Sequence, residues 1–139
     1  MSTNFNLKLI APDGVKYDET ATEAILPTDL GQIAILPNHM PLISLLRPGE
    51  IIIKNGTKEH HLATEGGIIE VADNVVKILA DTAEDADSLD ELKIIEAKKA
   101  AEQSLRTAVD SVDYANAAAQ IEKQLAKLQF INRRKKYKK

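Results

Sequence analysis

The segment Ile51-Ile-Ile-Lys-Asn-Gly-Thr-Lys-Glu-His-His-Leu-Ala-Thr64 decides how the N-terminal part of the chain is read. The β-branched run Ile51 to Ile53 and the stretch His60 to Thr64 flank Lys54-Asn-Gly-Thr57. Asn-Gly between two such stretches is the strongest short-range hairpin signal, because a tight turn that matches strand twist needs positive φ. The same pattern repeats on either side. Phe5, Leu7 and Leu9 alternate with Asn6 and Lys8, the period-two signature of a half-buried strand. Pro12-Asp-Gly14 turns the chain into a return strand over Val15 to Glu19. Ala24 to Leu26 and Gln32 to Leu36 flank a turn at Pro27-Thr-Asp-Leu-Gly31. Gly67 to Val71 and Asn74 to Leu79 pair around Ala72-Asp73. Eight to ten short strands without an intervening helix imply a sandwich or a flattened barrel.

Beyond residue 87 the period changes. Ser88-x-x-Glu91 predicts a capping box. Ile94, Ala97, Ala101, Leu105 and Ala108 then follow at helical spacing. A break at Val109-Asp-Ser-Val-Asp113 offers Asp110 or Ser111 as the cap of a second helix. Its predicted stripe is Tyr114, Ala118, Ile121, Leu125 and Leu128. The chain thus reads as α+β, with a β-sandwich over residues 1–87 and an antiparallel two-helix hairpin over 88–139. An alanine-rich seam buries little area, at about 25 cal/mol per Å², so packed and extended hairpins are expected to differ by only a few kcal/mol.

Composition narrows the function. Among 139 residues there is no cysteine and no tryptophan, which excludes disulfides and thiol chemistry and leaves no tryptophan for stacking on bases. No stretch approaches the roughly 18 apolar residues of a membrane span. The opening Met-Ser-Thr-Asn-Phe-Asn lacks the basic start and apolar core of an export signal, so none is expected there. The net charge of −3 hides an asymmetry: Arg133-Arg-Lys-Lys-Tyr-Lys-Lys139 carries six positive charges and no negative one, whereas Asp81 to Glu91 holds acids and no base. Such a basic end predicts an acidic partner.

Catalysis is not expected. His60 and His61 are adjacent on a strand and point to opposite faces, so they cannot chelate one ion together. His39 lies in a turn with no carboxylate near in sequence, and no phosphate-loop or dinucleotide glycine pattern is present. Two competing readings are a nucleic-acid or protein adaptor anchored by the basic tail, and a metal-dependent enzyme using His39. Against the first, the acidic body would repel phosphate.

Several runs together carry a resemblance. They are Leu26-Pro-Thr-Asp-Leu-Gly-Gln-Ile-Ala-Ile-Leu-Pro-Asn-His-Met-Pro-Leu42, Leu46-Arg-Pro-Gly49, Glu65-Gly-Gly-Ile-Ile-Glu-Val71 and Val75-Val-Lys-Ile-Leu-Ala-Asp-Thr-Ala-Glu84. Leu89-Asp-Glu-Leu-Lys and Val112-Asp-Tyr-Ala115 continue the series into the helical part. In order and spacing the chain resembles the epsilon subunit of bacterial F-type ATP synthases. The resemblance implies a ten-stranded sandwich docked on the gamma subunit and the ring of c subunits. It also implies a helical hairpin that inserts into the alpha/beta catalytic hexamer and blocks ATP hydrolysis.

The implied ring contact is Thr28, Asp29, Leu30, Gly31 and Gln32, with His39 just beyond. Members often carry an acid where this chain has Gln32, which implies a hydrogen bond there in place of an ion pair. The implied inhibitory contact uses Lys123, Lys127, Arg133 and Arg134. Some members hold ATP between the helices with Ile/Leu-Asp-x-x-Arg-Ala, which here reads Leu89-Asp90-Glu91-Leu92-Lys93-Ile94. Two second-helix arginines of those members become Lys123 and Lys127. Lysine lacks the planar fork that grips a phosphate, so ATP binding at Asp90, Lys93, Lys123 and Lys127 is expected to be weak at best. No other cofactor, no metal and no nucleic acid is implied. The implied location is peripheral, on the cytoplasmic face of the bacterial plasma membrane.

Overall fold

The computed structural model describes residues 3–85 and 89–137, the last four of these as backbone only. The chain divides into two compact units, Met1–Asp85 and Ala86–Lys139. The first holds β1 (Phe5–Ala11), β2 (Gly14–Ala21), β3 (Glu23–Thr28), β4 (Gly31–Ile35), β5 (Leu42–Leu46), β6 (Gly49–Asn55), β7 (Lys58–Thr64), β8 (Gly67–Ala72), β9 (Val75–Ala80) and β10 (Glu84–Asp85). The second holds α1 (Glu91–Arg106) and α2 (Ser111–Tyr137).

The strands form two five-stranded sheets, ordered β2-β1-β9-β8-β5 and β10-β7-β6-β3-β4. Alternation explains their packing. Phe5, Leu7 and Leu9 of β1 turn inward with Ile69, Val71, Val76 and Ile78 to form one side of the core. Leu26, Ile35, Ile51, Ile53 and Leu62 supply the other sheet's side. All the described pairings are antiparallel except β1 with β9, where Asn6 lies opposite Val75.

Turn chemistry places the hairpins one residue later than expected. Asn55 pairs with Lys58, so the β6–β7 turn is Gly56-Thr57, with Gly56 at φ +64°. Ala72 pairs with Val75, so the β8–β9 turn is Asp73-Asn74, both left-handed as a type I′ turn requires. The β3–β4 turn shrinks to Asp29-Leu30, because Pro27 and Thr28 stay in register with Gln32 and Gly31.

Two strands escape the sequence pattern. In β5 the outward Ile43 and Leu45 are apolar and the inward-leaning Ser44 is polar, the reverse of the usual alternation. β10 is two acidic residues paired to Ala63 and Leu62 on β7, inside what reads as a solvated acidic junction.

The helices also correct the sequence reading. The predicted cap Ser88 lies outside the described residues, and α1 is capped by Asp90, whose Oδ1 accepts from the backbone N–H of Leu92 and Lys93 at 3.1 and 3.3 Å. Asp110 caps α2, accepting from Asp113 N–H at 2.8 Å. On α1, Ala97 is exposed and Lys98 takes its place, half-buried, with its ammonium 3.6 Å from Glu102. On α2, Tyr114, Ala118 and Leu125 are exposed, while Ala117, Gln124, Phe130 and Ile131 are buried.

The covered positions include 94, 98, 101 and 105 on α1, continued by 108 just past its end, and 117, 121, 124, 128 and 131 on α2, with Phe130 buried beside them. Spacing that alternates between four and three residues is the pattern of helices packed side by side, and α1 does pack on α2. Asp90→Ala removes the only side-chain acceptor described at the start of α1. It is expected to lower the helicity of residues 91–106 and to destabilise the helical unit by about 1 kcal/mol, read by circular dichroism during thermal unfolding.

Candidate docking surface

The β3–β4 tip is built from within. Thr28 is buried, its hydroxyl donating to Gly31 O at 2.6 Å and accepting from Leu30 N–H at 3.2 Å. The two-residue turn then continues through Gly31 at φ +102°, a conformation that suits glycine. This leaves Leu30 as the apex, 96% exposed, with Asp29 and Gln32 exposed beside it. Asp29 is paired with Arg47 from the β5–β6 corner, Nε to Oδ1 at 3.2 Å.

Of the implied ring contacts, the structure brings together Thr28 to Gln32 and leaves His39 apart. β4 runs from Gly31 to Ile35, about 13 Å at ~3.3 Å per residue, and His39 follows beyond its far end. There a turn is closed by His39 N–H donating to Leu36 O at 3.2 Å, and the His39 ring Nδ1 lies 2.7 Å from Met40 O. Asn38 takes left-handed φ, and its N–H donates to Asn74 Oδ1 at 2.8 Å. Asn74 Nδ2 in turn donates to Asn4 O at 2.9 Å, so one side chain ties this loop to the start of β1.

A surface that the sequence reading missed lies between these two ends. Val15, Ile10, Leu79, Ile68 and Leu45 are in register across all five strands of the β2-β1-β9-β8-β5 sheet. All five are exposed or half-exposed, and they point away from the core. Toward the His39 end the face continues through Ile43, 79% exposed, to Met40, 74% exposed. A row of polar residues, Glu70, Lys77 and Lys8, lies beside Ile43 on the same face. A contiguous apolar row flanked by charge marks an interaction site. The available signal was five apolar residues at outward-facing strand positions, visible only once register is known.

The remaining sequence candidates have other surroundings. His60 meets Tyr17 edge-on, with ring centroids 5.4 Å apart. Burial, and then the charge of Glu19, raises the Tyr17 phenol above its usual pKa. His61 faces the other side, as adjacent strand residues must, between Glu50 at 3.4 Å and Glu59 at 3.3 Å. Among the described residues no group of three His, Asp or Glu side chains is arranged to hold a metal ion. No helix among them is long and apolar enough to cross a membrane.

In the helical unit, Asp90 is exposed and occupied as a cap, Lys93 is exposed, and Lys123 and Lys127 are half-buried one turn apart. All four lie at the end of the hairpin away from the connection. A cleft of about 360 Å³ opens at the other end, lined by small side chains such as Ala101, Ser104, Ala108 and Ala117, and none of the four reaches it. Arg133 is exposed on α2, and the Arg134 side chain lies outside the described residues.

Comparison with known proteins agrees with this architecture. Residues 4–86 match the family described as ATP synthase, Delta/Epsilon chain, beta-sandwich domain. The ATP synthase epsilon chain of Acidithiobacillus ferridurans is 36% identical over 133 residues, covering 96% of this chain and 94% of the relative. That of Desulfitobacterium hafniense is 38% identical over 128 residues, covering 92% and 96%. A chain of the Euglena gracilis mitochondrial ATP synthase shares the fold with a TM-score of 0.79 at 21% identity, over 91% of this chain and 80% of that one. A chain from the Tetrahymena thermophila mitochondrial ATP synthase central stalk and c-ring does so at 0.70 and 13%, over 91% and 95%. Two five-stranded sheets followed by two helices, with relatives matching over nearly their whole length, establish that the chain belongs to the ATP synthase epsilon chain family.

Proposed function

We propose that the chain is the non-catalytic central-stalk subunit of a bacterial F-type ATP synthase, coupling ion translocation to ATP synthesis and restraining ATP hydrolysis through its helices. The full-length match to epsilon chains carries this reading. In it, the sandwich docks on the gamma subunit through the apolar row Val15–Ile10–Leu79–Ile68–Leu45. The β3–β4 tip, Thr28 to Gln32, meets the polar loops of the c ring, and His39 at the far end of β4 borders the gamma surface. Exposed ion pairs contribute only about 0–1 kcal/mol each, so the apolar face supplies most of the affinity.

The helical unit acts as the brake. It extends from the sandwich toward the alpha/beta hexamer, where Lys123, Lys127, Arg133 and Arg134 face acidic segments. A seam with Ala101 and Ala117 at its centre buries little apolar area, which keeps the cost of opening low. Weak ATP binding at Asp90, Lys93, Lys123 and Lys127 is a minor element of this reading, since the Asp90 carboxylate already serves as a cap. The complex location is the cytoplasmic face of the plasma membrane, with this subunit peripheral to it.

The test is the ATP hydrolysis rate of the cognate alpha/beta hexamer with gamma, measured without this chain, with the full chain, and with a chain ending at Asp87. Inhibition of severalfold by the full chain and none by the truncated one is expected. Equal rates with both versions bound would remove the brake and leave coupling. Failure of either version to bind would end the assignment to the stalk.

A further inference from the structure

The β3–β4 tip and the β5–β6 corner are separate stretches of chain that meet at three points. Arg47 N–H donates to Pro27 O at 2.9 Å. Arg47 Nε lies 3.2 Å from Asp29 Oδ1. A Cβ placed on Gly49 would lie 3.0 Å from Pro27 Cβ, so the corner backbone rests directly on the proline ring. Thr28 fixes the turn from inside through Leu30 and Gly31, and Arg47 fixes it from outside through Asp29. Nothing else among the described contacts restrains the exposed apex at Leu30, which is 96% exposed.

We propose that Arg47 is a positioning residue for docking: its guanidinium holds the Asp29 carboxylate, and so sets the direction in which Leu30 to Gln32 meet the partner. This rests on the reading of the tip as the ring contact. The pair is about half-exposed on both sides, so its effect on folding is small. Its value lies in ordering the tip before binding, which lowers the entropy lost on association. The two contacts act together: the backbone N–H anchors residue 47 to Pro27, and the always-charged guanidinium reaches Asp29 through Nε. The short run Leu46-Arg-Pro-Gly49 gains a physical account in this way. Arg47 reaches the tip, Pro48 turns the corner, and Gly49 permits the close approach to Pro27.

The experiment titrates the labelled full-length chain onto ATP synthase membranes stripped of this subunit. The variants are Arg47→Ala, Asp29→Ala, their double, the exchanged pair Arg47→Asp with Asp29→Arg, and Leu30→Glu. Arg47→Ala and Asp29→Ala are each expected to weaken binding roughly fivefold, with the double no worse than either single and the exchanged pair partly restored. Melting temperatures of the free variants are expected to stay within a few degrees of the parent. If Leu30→Glu weakens binding while Arg47→Ala does not, or if the two single effects multiply in the double variant, the positioning role is overturned and ring docking stands. If Leu30→Glu leaves binding unchanged, the tip is not the contact, and the proposal falls with it.

Discussion

Gly67→Ala is expected to be the most damaging single substitution in the sandwich, lowering its stability by about 3 kcal/mol or more. Gly67 opens β8 between Leu46 of β5 and Ala80 of β9. Its φ of +153° is one that side chains rarely adopt, and an added Cβ would fall 2.1 Å from Leu79 O and 2.8 Å from Ala80 Cα. Both obstructing atoms are backbone in the neighbouring strand, so a rotamer change cannot relieve the clash. β9 itself has to move, and β9 lies between β8 and β1. At about 4–8 °C per kcal/mol for a domain of this size, the melting temperature of the sandwich should fall by more than 12 °C. Gly56→Ala is the control. Gly56 is also left-handed, at φ +64°, but an added Cβ meets nothing within 4 Å, so only the local cost of about 1–2 kcal/mol applies. Equal melting temperatures for the two variants would show that β9 absorbs the displacement, and would contradict the close approach described here.

The second large effect concerns assembly. Ile68 and Leu79 lie directly opposite each other at the middle of the outward apolar row. Replacing them as a pair, Ile68→Lys with Leu79→Glu, keeps the sheet supported by an opposite-charge cross-strand contact worth a few tenths of a kcal/mol. The free protein is expected to fold with near-parental stability, because both side chains are already about half exposed. Binding to the gamma-containing stalk should weaken by more than 100-fold, since an ion pair well solvated in the free protein would have to be desolvated against a surface that matched an apolar row. Titration onto the stripped complex reads the outcome. Retained affinity would place the gamma contact on another face, even though this one is apolar. The two experiments separate cleanly: the first alters the fold and the second leaves it intact.

The sandwich was largely legible because its strands obey simple alternation. Phe5, Leu7 and Leu9, or Ile51 and Ile53, face a common core, and glycine and asparagine mark the turns. β5 was missed for a reason that bears on function. Its apolar residues Ile43 and Leu45 point outward and are exposed, so a pattern that assigns apolar residues to the core cannot place them. β10 escaped because two acidic residues on a sheet edge carry no strand propensity, and only pairing to Ala63 and Leu62 makes them a strand.

On α2 the apolar stripe was placed through Tyr114 and Leu125, which are exposed, because buried Gln124 breaks any search for hydrophobic residues alone. The tip residues were recognisable by resemblance. The separation of His39 from them follows from the length of β4 and from the connection leaving its end, which no motif encodes. The Arg47–Asp29 pair likewise depends on a corner and a hairpin that meet only in three dimensions.

The parallel pairing of β1 with β9 has a consequence for the order of synthesis. β1 lies between β2 and β9, so the first strand made can find only one of its two neighbours until the stretch Val75–Ala80 has left the ribosome. At roughly 5–20 residues per second, the β1–β2 hairpin must wait several seconds with an open, hydrogen-bond-hungry flank. One charge is well placed for that interval: Lys8 on β1 discourages a stray strand from filling the gap. The helices have no such wait, since each turn bonds to residues just made. The nascent chain therefore completes the pairing of its oldest strand only after nearly the whole sandwich has been made, and the helical unit follows it.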